Sequence, residues 1–296
     1  MSEEKKQVDH LATDKESLGV PSTPRSKPFT TTVINALQTI EKSSAFLFLG
    51  FVGLHITSVV ITPAIADIDT AENVLTLVRE VYQSPSTEWL LVWGSLALHV
   101  VSGFTIRMIR KFKSITSTKK NITEKDPKTV QDGKITESTD SQEAAASPSK
   151  TPATKSKKSF VFRYIGLSPL VIAGYILVPM ITKHAMKLRI QPLRFFGDSS
   201  IVNFEFLSHG INGKLRAKFN LSLLVFLTTF HVSQGLLKYL NIRSPKVKKM
   251  CNYLVVGLTA LAGLSLYNIS KLGRLTGVSL DTFNKYRDSL SPVLRQ

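Results

Sequence analysis

Five stretches of this sequence contain no Asp, Glu, Lys or Arg: Ser43–Ala66, Trp89–Ile106, Tyr164–Thr182, Phe219–Leu237 and Met250–Ser270. An α-helix rises ~1.5 Å per residue and the hydrocarbon core of a bilayer is ~30 Å thick, so ~20 apolar residues cross it. All five windows are close to that length. Buried helices of a soluble protein are shorter and amphipathic. The windows end at Lys42, Glu88, Arg107, Arg163, Lys183, Lys218, Lys238, Lys249 and Lys271, and Trp89 and Tyr164 sit where interfacial aromatics belong. The expected fold is all-α: a multi-span transmembrane helical bundle of five spans. The mean hydropathy of +0.07 conceals this, because very polar connectors dilute the spans.

Composition narrows the partners. The net charge is +17, which favours anionic surfaces. The basic connectors lack a nucleic-acid-binding fold and regularly interleaved aromatics, so a phospholipid membrane is the expected partner and nucleic acid is not. The single cysteine excludes an internal disulfide and a metal centre built mainly on thiolates. No phosphate-binding glycine loop or nucleophile elbow is present, and no enzymatic activity is expected.

The chain divides into a disordered cytosolic tail (1–29), a first two-span repeat (30–110), a disordered linker (111–160), a second two-span repeat (161–242), and a fifth span with a C-terminal tail (243–296). The connector 183–218, with Phe195, Phe196, Phe204 and Phe206 among cations, is expected to lie in the membrane interface. The segments on the amino-terminal side of the membrane hold 25 Lys and Arg, against 13 on the other side. The positive-inside rule therefore puts the amino terminus and the linker in the cytosol. Glu3, Glu4, Asp9, Asp14 and Glu16 contradict an acid-poor mitochondrial presequence, so insertion is expected to rely on the spans.

The two halves repeat. His99-Val-Val-Ser-Gly103 in span two parallels His231-Val-Ser-Gln-Gly235 in span four, and His55 stands before Pro63 at the same spacing as His184 before Pro192. Nearly the same length of chain separates His99 from His231 as separates His55 from His184, which makes one consistent period. Imidazoles on facing helices can ligate haem iron from both sides. His55, His99, His184 and His231 are therefore candidate haem b ligands, with the pairing open. Hydrogen bonding between helices is the competing role for each ring. The charge map places His184 at a span end, although the repeat makes it equivalent to His55 in mid-span. Gly50, Gly53, Gly94, Gly103, Gly257 and Gly263 read as helix-contact surfaces. Gly103 and Gly235, one turn beyond their histidines, would let a macrocycle or a helix come close.

Several segments together resemble a known family: Leu37-Gln-Thr-Ile-Glu-Lys-Ser43, Gly53-Leu-His55 through Pro63, Val81-Tyr-Gln-Ser-Pro85, Leu98-His-Val-Val-Ser-Gly103, Leu167-Ser-Pro-Leu170, and Gly174-Tyr-Ile-Leu-Val-Pro179 with His184 and Arg189. They resemble the MDM-ten-complementing protein one family of the fungal mitochondrial outer membrane, over roughly residues 35–270. The Ser-Pro…Gly-Tyr…His…Arg and His-x-x-x-Gly patterns are also similar to the haem b anchor subunits of succinate dehydrogenase. The first resemblance implies a multi-pass outer-membrane protein with its amino terminus in the cytosol, acting in mitochondrial lipid homeostasis. It also implies an adaptor that recruits a bridge-like lipid-transfer protein of the Vps-thirteen type to membrane contact sites, and that scrambles phospholipids between leaflets. Docking in that family uses a Pro-X-Pro motif in the tail. This tail carries Pro21-Ser-Thr-Pro24 and then Pro28, which departs from the strict motif but remains a suitable low-entropy ligand.

Overall fold

The computed structural model describes residues 29–123 and 168–290. The expectations for the tail, including Pro21, Pro24 and Pro28, and for most of the linker lie outside the described residues. Among the described residues there is no strand. Five helices are long and apolar enough to cross a membrane: α1 (Phe29–Ile65), α3 (Pro85–Ser114, helical on to Thr123), α4 (Pro169–Phe196), α6 (Leu215–Tyr239) and α7 (Pro245–Ser270). Three shorter helices complete the described fold: α2 (Ile68–Tyr82), α5 (Phe204–Ile211) and α8 (Gly277–Ser289).

The spans expose their apolar residues. The most hydrophobic window of each span is only 11–22% buried, and Trp89, Tyr253 and Val256 are all strongly exposed. A water-soluble bundle would turn such a surface inward, whereas hydrocarbon accommodates it. The buried positions of the spans mix apolar residues such as Val52, Ile106, Leu177 and Leu237 with Ser44, Ser58, Ser102, Thr229 and Ser233. α1 packs along α3, α4 along α6, α6 along α7, and α7 against the end of α1.

Each repeat is a long span, a short capping helix and a returning span. In both, the first span loosens into a π-helical turn (Thr57–Ile61 and Met186–Ile190) just before a proline, Pro63 or Pro192. Both capping helices start on a side-chain cap: the Asp67 carboxylate accepts from the Thr70 N–H at 2.8 Å, and the Asn203 side chain from the Phe206 N–H at 2.8 Å. The Thr70 N–H and hydroxyl, both donating to Asp67, hold its carboxyl below the usual carboxylate range. Proline lacks an N–H, so Pro63 frees the carbonyl one turn before it. The Ser265 hydroxyl on α7 donates to that carbonyl, on Val59, at 3.1 Å, and Asn268 Nδ2 donates to the Pro63 carbonyl at 3.1 Å. In the second repeat the Tyr286 hydroxyl on α8 donates to the Lys187 carbonyl.

Two apolar clusters close one end of the bundle. Ala71, Leu75, Phe204, Ile211, Leu266 and Ile269 join α2, α5 and α7, while Val202, Phe206, Phe283, Tyr286 and Leu290 join α5 to α8. The connector 183–218 is thus mostly helical and packed into this cap. α4 continues past the charge-free window, which ended at Thr182, as far as Phe196. This corrects the charge-based position of His184, which lies within the helix.

The expected glycine contact surfaces are only partly right. A Cβ added at Gly50, Gly53, Gly257, Gly263 or Gly235 would meet no neighbouring element within 4 Å. Gly103 does face a neighbour, the Glu41 carboxylate on α1, and Gly174 lies against the His231 ring, where an added Cβ would sit 3.0 Å from the ring carbon.

Candidate functional site

The four candidate histidines form two pairs, and in each pair a histidine meets its own repeat equivalent. His55 on α1 faces His184 on α4, with ring centres 5.9 Å apart. His99 on α3 faces His231 on α6 at 6.2 Å. α1 and α4 hold one pair, α3 and α6 the other, so the two repeats meet at the histidines. The hydrogen bonds repeat as well. His99 Nδ1 donates to the Glu41 carbonyl at 3.2 Å, and His231 Nδ1 to the Leu170 carbonyl at 3.1 Å. Glu41 and Leu170 are spaced along the chain as His55 and His184 are, so these acceptors are repeat equivalents too.

The environments of the pairs differ. Around His99 and His231 the neighbours are polar. The Glu41 side chain packs at Gly103 and is bonded by the Tyr239 hydroxyl, and Arg107 lies over the Tyr175 ring at 5.5 Å. His55 and His184 line a cavity of about 240 Å³ between the repeats. Its walls are mainly apolar, with Phe48, Phe51, Trp93, Leu188 and Leu224 among them. His55 stacks on Phe51 and meets the edge of Tyr82. Its Nδ1 is buried without a hydrogen-bond partner, alone in this among the described residues.

A polar lid closes the cavity at the capped end. Arg189 Nε donates to Glu88 Oε1 at 2.9 Å, its Nη2 to Oε2 at 2.5 Å, and its Nη1 to Gln83 Oε1 at 3.1 Å and to the Ser199 hydroxyl. This bidentate pair is 14–18% exposed and bridges the two repeats. Arg79 donates to the Val202 carbonyl, and the Glu72 carboxylate accepts the Phe204 N–H at 3.0 Å. Burial raises the Tyr82 phenol above its usual value. The lid was not anticipated from sequence, because Glu88 and Lys183 read as the ends of apolar windows. A hint was available: a glutamate opening one span and an arginine following another on the same side of the membrane can pair.

The donor set bears on the haem expectation. Among the described residues no three His, Cys, Asp or Glu side chains gather to hold a metal ion. Two facing imidazoles are too few for a tetrahedral zinc site but suit the axial positions of a planar macrocycle. His55 and His184, with an apolar cavity beside them, fit that group.

The chain matches the family model for the transmembrane domain of MDM10-complementing protein 1 over residues 50–143 and 179–279. It is 24% identical over 237 residues to the mitochondrial adapter protein MCP1 of Saccharomyces cerevisiae, an alignment covering 78% of this chain and 73% of that protein. No solved structure matches it. The family model takes in both repeats and the fifth span, with all four paired histidines inside the matched segments, and on this extent of agreement the chain belongs to the MDM10-complementing protein 1 family.

Proposed function

We propose that the chain is a mitochondrial membrane adaptor of the outer membrane, which recruits a bridge-like lipid-transfer protein of the Vps-thirteen type to membrane contact sites through its cytosolic tail. The observation that carries this reading is the family membership across both repeats, together with the adapter role named for the yeast relative. The charge distribution supports it. The end of the bundle from which α1 starts is rich in cations, with Arg107, Arg110, Lys111 and Lys113 on α3 and Lys246, Lys248 and Lys249 on α7. Such an end suits a cytosolic surface of anionic lipid headgroups.

The tail offers Pro21, Pro24 and Pro28 as the docking segment. Full-length protein in detergent is expected to retain the lipid-transfer protein, and replacement of the three prolines with alanine is expected to reduce retention at least tenfold. Equal retention would reject the segment. The membrane domain is proposed to let phospholipids cross between leaflets, so that delivered lipid equilibrates. Liposomes containing the pure protein should exchange labelled lipid faster than empty ones, and equal rates would reject this part.

A further inference from the structure

We propose that His55 and His184 are the two axial ligands of a metal tetrapyrrole of the haem b type, held in the cavity between the repeats with its carboxylate edge toward Arg79. The ring separation is the first argument. Two imidazoles bound on opposite sides of one ion through bonds of about 2 Å place their ring centres about 6 Å apart. The observed separation is 5.9 Å, with the rings crossed at 76°. Direct contact does not account for this arrangement, because His55 Nδ1 bonds to nothing in the protein. A metal ion bound at that nitrogen, a group the protein does not itself supply, would satisfy it.

The cavity supplies the second argument. Ligand pockets combine an apolar lining with a few converging polar groups. Here the lining is apolar along α1, α3, α4 and α6, and the polar groups gather at one end. Arg189 spends four of its five N–H donors on Glu88, Gln83 and Ser199. Arg79 donates to the Val202 carbonyl and bonds the Tyr82 side chain, and others of its five N–H donors remain for a carboxylate. A flat apolar body with acidic substituents along one edge matches this division. A lipid chain would fill the apolar part but would leave the facing imidazoles without a partner.

The other pair has nearly the same ring separation, 6.2 Å, but no cavity beside it and no buried nitrogen left without a partner. His99 and His231 are anchored by carbonyls, and neither lines the cavity. They hold helices together. When bound, the tetrapyrrole supplies a metal link between α1 and α4, joining the repeats at the depth where their π-helical turns begin.

The inference stands apart from the adaptor reading, since neither tail docking nor lipid exchange measures it. Full-length protein purified from haem-supplied cells should show the Soret band and the sharp reduced bands of a low-spin bis-imidazole haem. His55→Ala and His184→Ala should each lower the haem-to-protein ratio about tenfold or more. His184→Gly should regain the band when free imidazole is added, which a misfolded protein would not do. His99→Ala should keep most of the band. The proposal is overturned by wild-type protein without a Soret band, by an undiminished band in His55→Ala and His184→Ala, or by loss confined to His99→Ala and His231→Ala.

Discussion

Arg189 and Glu88 show how charge is tolerated at membrane depth. Each would be expensive alone. Together they make a bidentate pair, and Gln83 and Ser199 take two further donors of the arginine. Removing one partner strands the other, so Arg189→Ala should destabilise the protein by about 3 kcal/mol, while the joint replacement Arg189→Met with Glu88→Leu should cost clearly less. Thermal unfolding in detergent, followed by the emission of Trp89 and Trp93, reads both. A larger loss in the double variant would show that the ions are not coupled. His209 makes a different residue-scale case, since it lies outside the spans. Its Nδ1 accepts the Leu275 N–H at 3.1 Å, which requires an unprotonated nitrogen. Burial, and then the positive charges of Lys214, Arg274 and Arg287, lower its pKa. The unfolded chain therefore binds the proton more readily, so this contribution is intact above the ordinary imidazole value of ~6.5 and is lost as the pH falls through the lowered one. The loop after α7 should become more susceptible to protease as the pH falls below the ordinary imidazole range, and His209→Gln should weaken that dependence. An unchanged pH profile in His209→Gln would refute the assignment.

At the scale of elements, the prolines and their donors form units. Pro63 frees the Val59 carbonyl, and Ser265 on another helix satisfies it. Hydrogen bonds between membrane helices average about 0.6 kcal/mol with an upper range near ~1.7 kcal/mol, so Ser265→Ala should lower stability by that order. If proline is the cause, the two positions are coupled: in a Pro63→Ala background, where the backbone N–H returns, Ser265→Ala should cost about half as much or less. A double-mutant cycle in thermal unfolding measures this, and additive effects would disprove the coupling. The elements also show what could be read in advance. Charge-free length revealed five helices because desolvating an ion is the largest single penalty a span can carry. It misplaced the limits of α4, because Lys183, Lys187 and Arg189 were counted as the end of a span, and pairing and capping by other elements cannot be seen in a local window. The capping helix α2 was hidden for a related reason: Asp67, Glu72 and Arg79 make its segment look like a polar connector, and its partners Val202 and Phe204 belong to the other repeat. The glycines misled because small size permits close contact without requiring it.

For the whole molecule, the histidine pairs were closer to legible than they first looked. The shared period along the chain identifies repeat equivalents, and two repeats meeting about an approximate two-fold bring equivalent residues together near the axis. What a single sequence could not supply was that the repeats face one another there, rather than lying side by side. The same architecture fixes which ends share a side of the membrane. The start of α1, the end of α3, the start of α4, the end of α6 and the start of α7 lie together, opposite the cap built from α2, α5 and α8. The cationic excess lies on the first of these sides, so that side should face the cytosol. Cys251, the single cysteine, lies in the first turns of α7 and must be removed before this can be tested. In a Cys251→Ser background, Ser22→Cys places one thiol in the tail and Asp281→Cys places one on the exposed face of α8. A maleimide too bulky for outer-membrane pores should label the first variant on intact mitochondria. It should label the second only after the outer membrane is opened. The reverse pattern would invert the topology and put the proline segment out of reach of any cytosolic partner, so this labelling tests the premise on which tail docking depends.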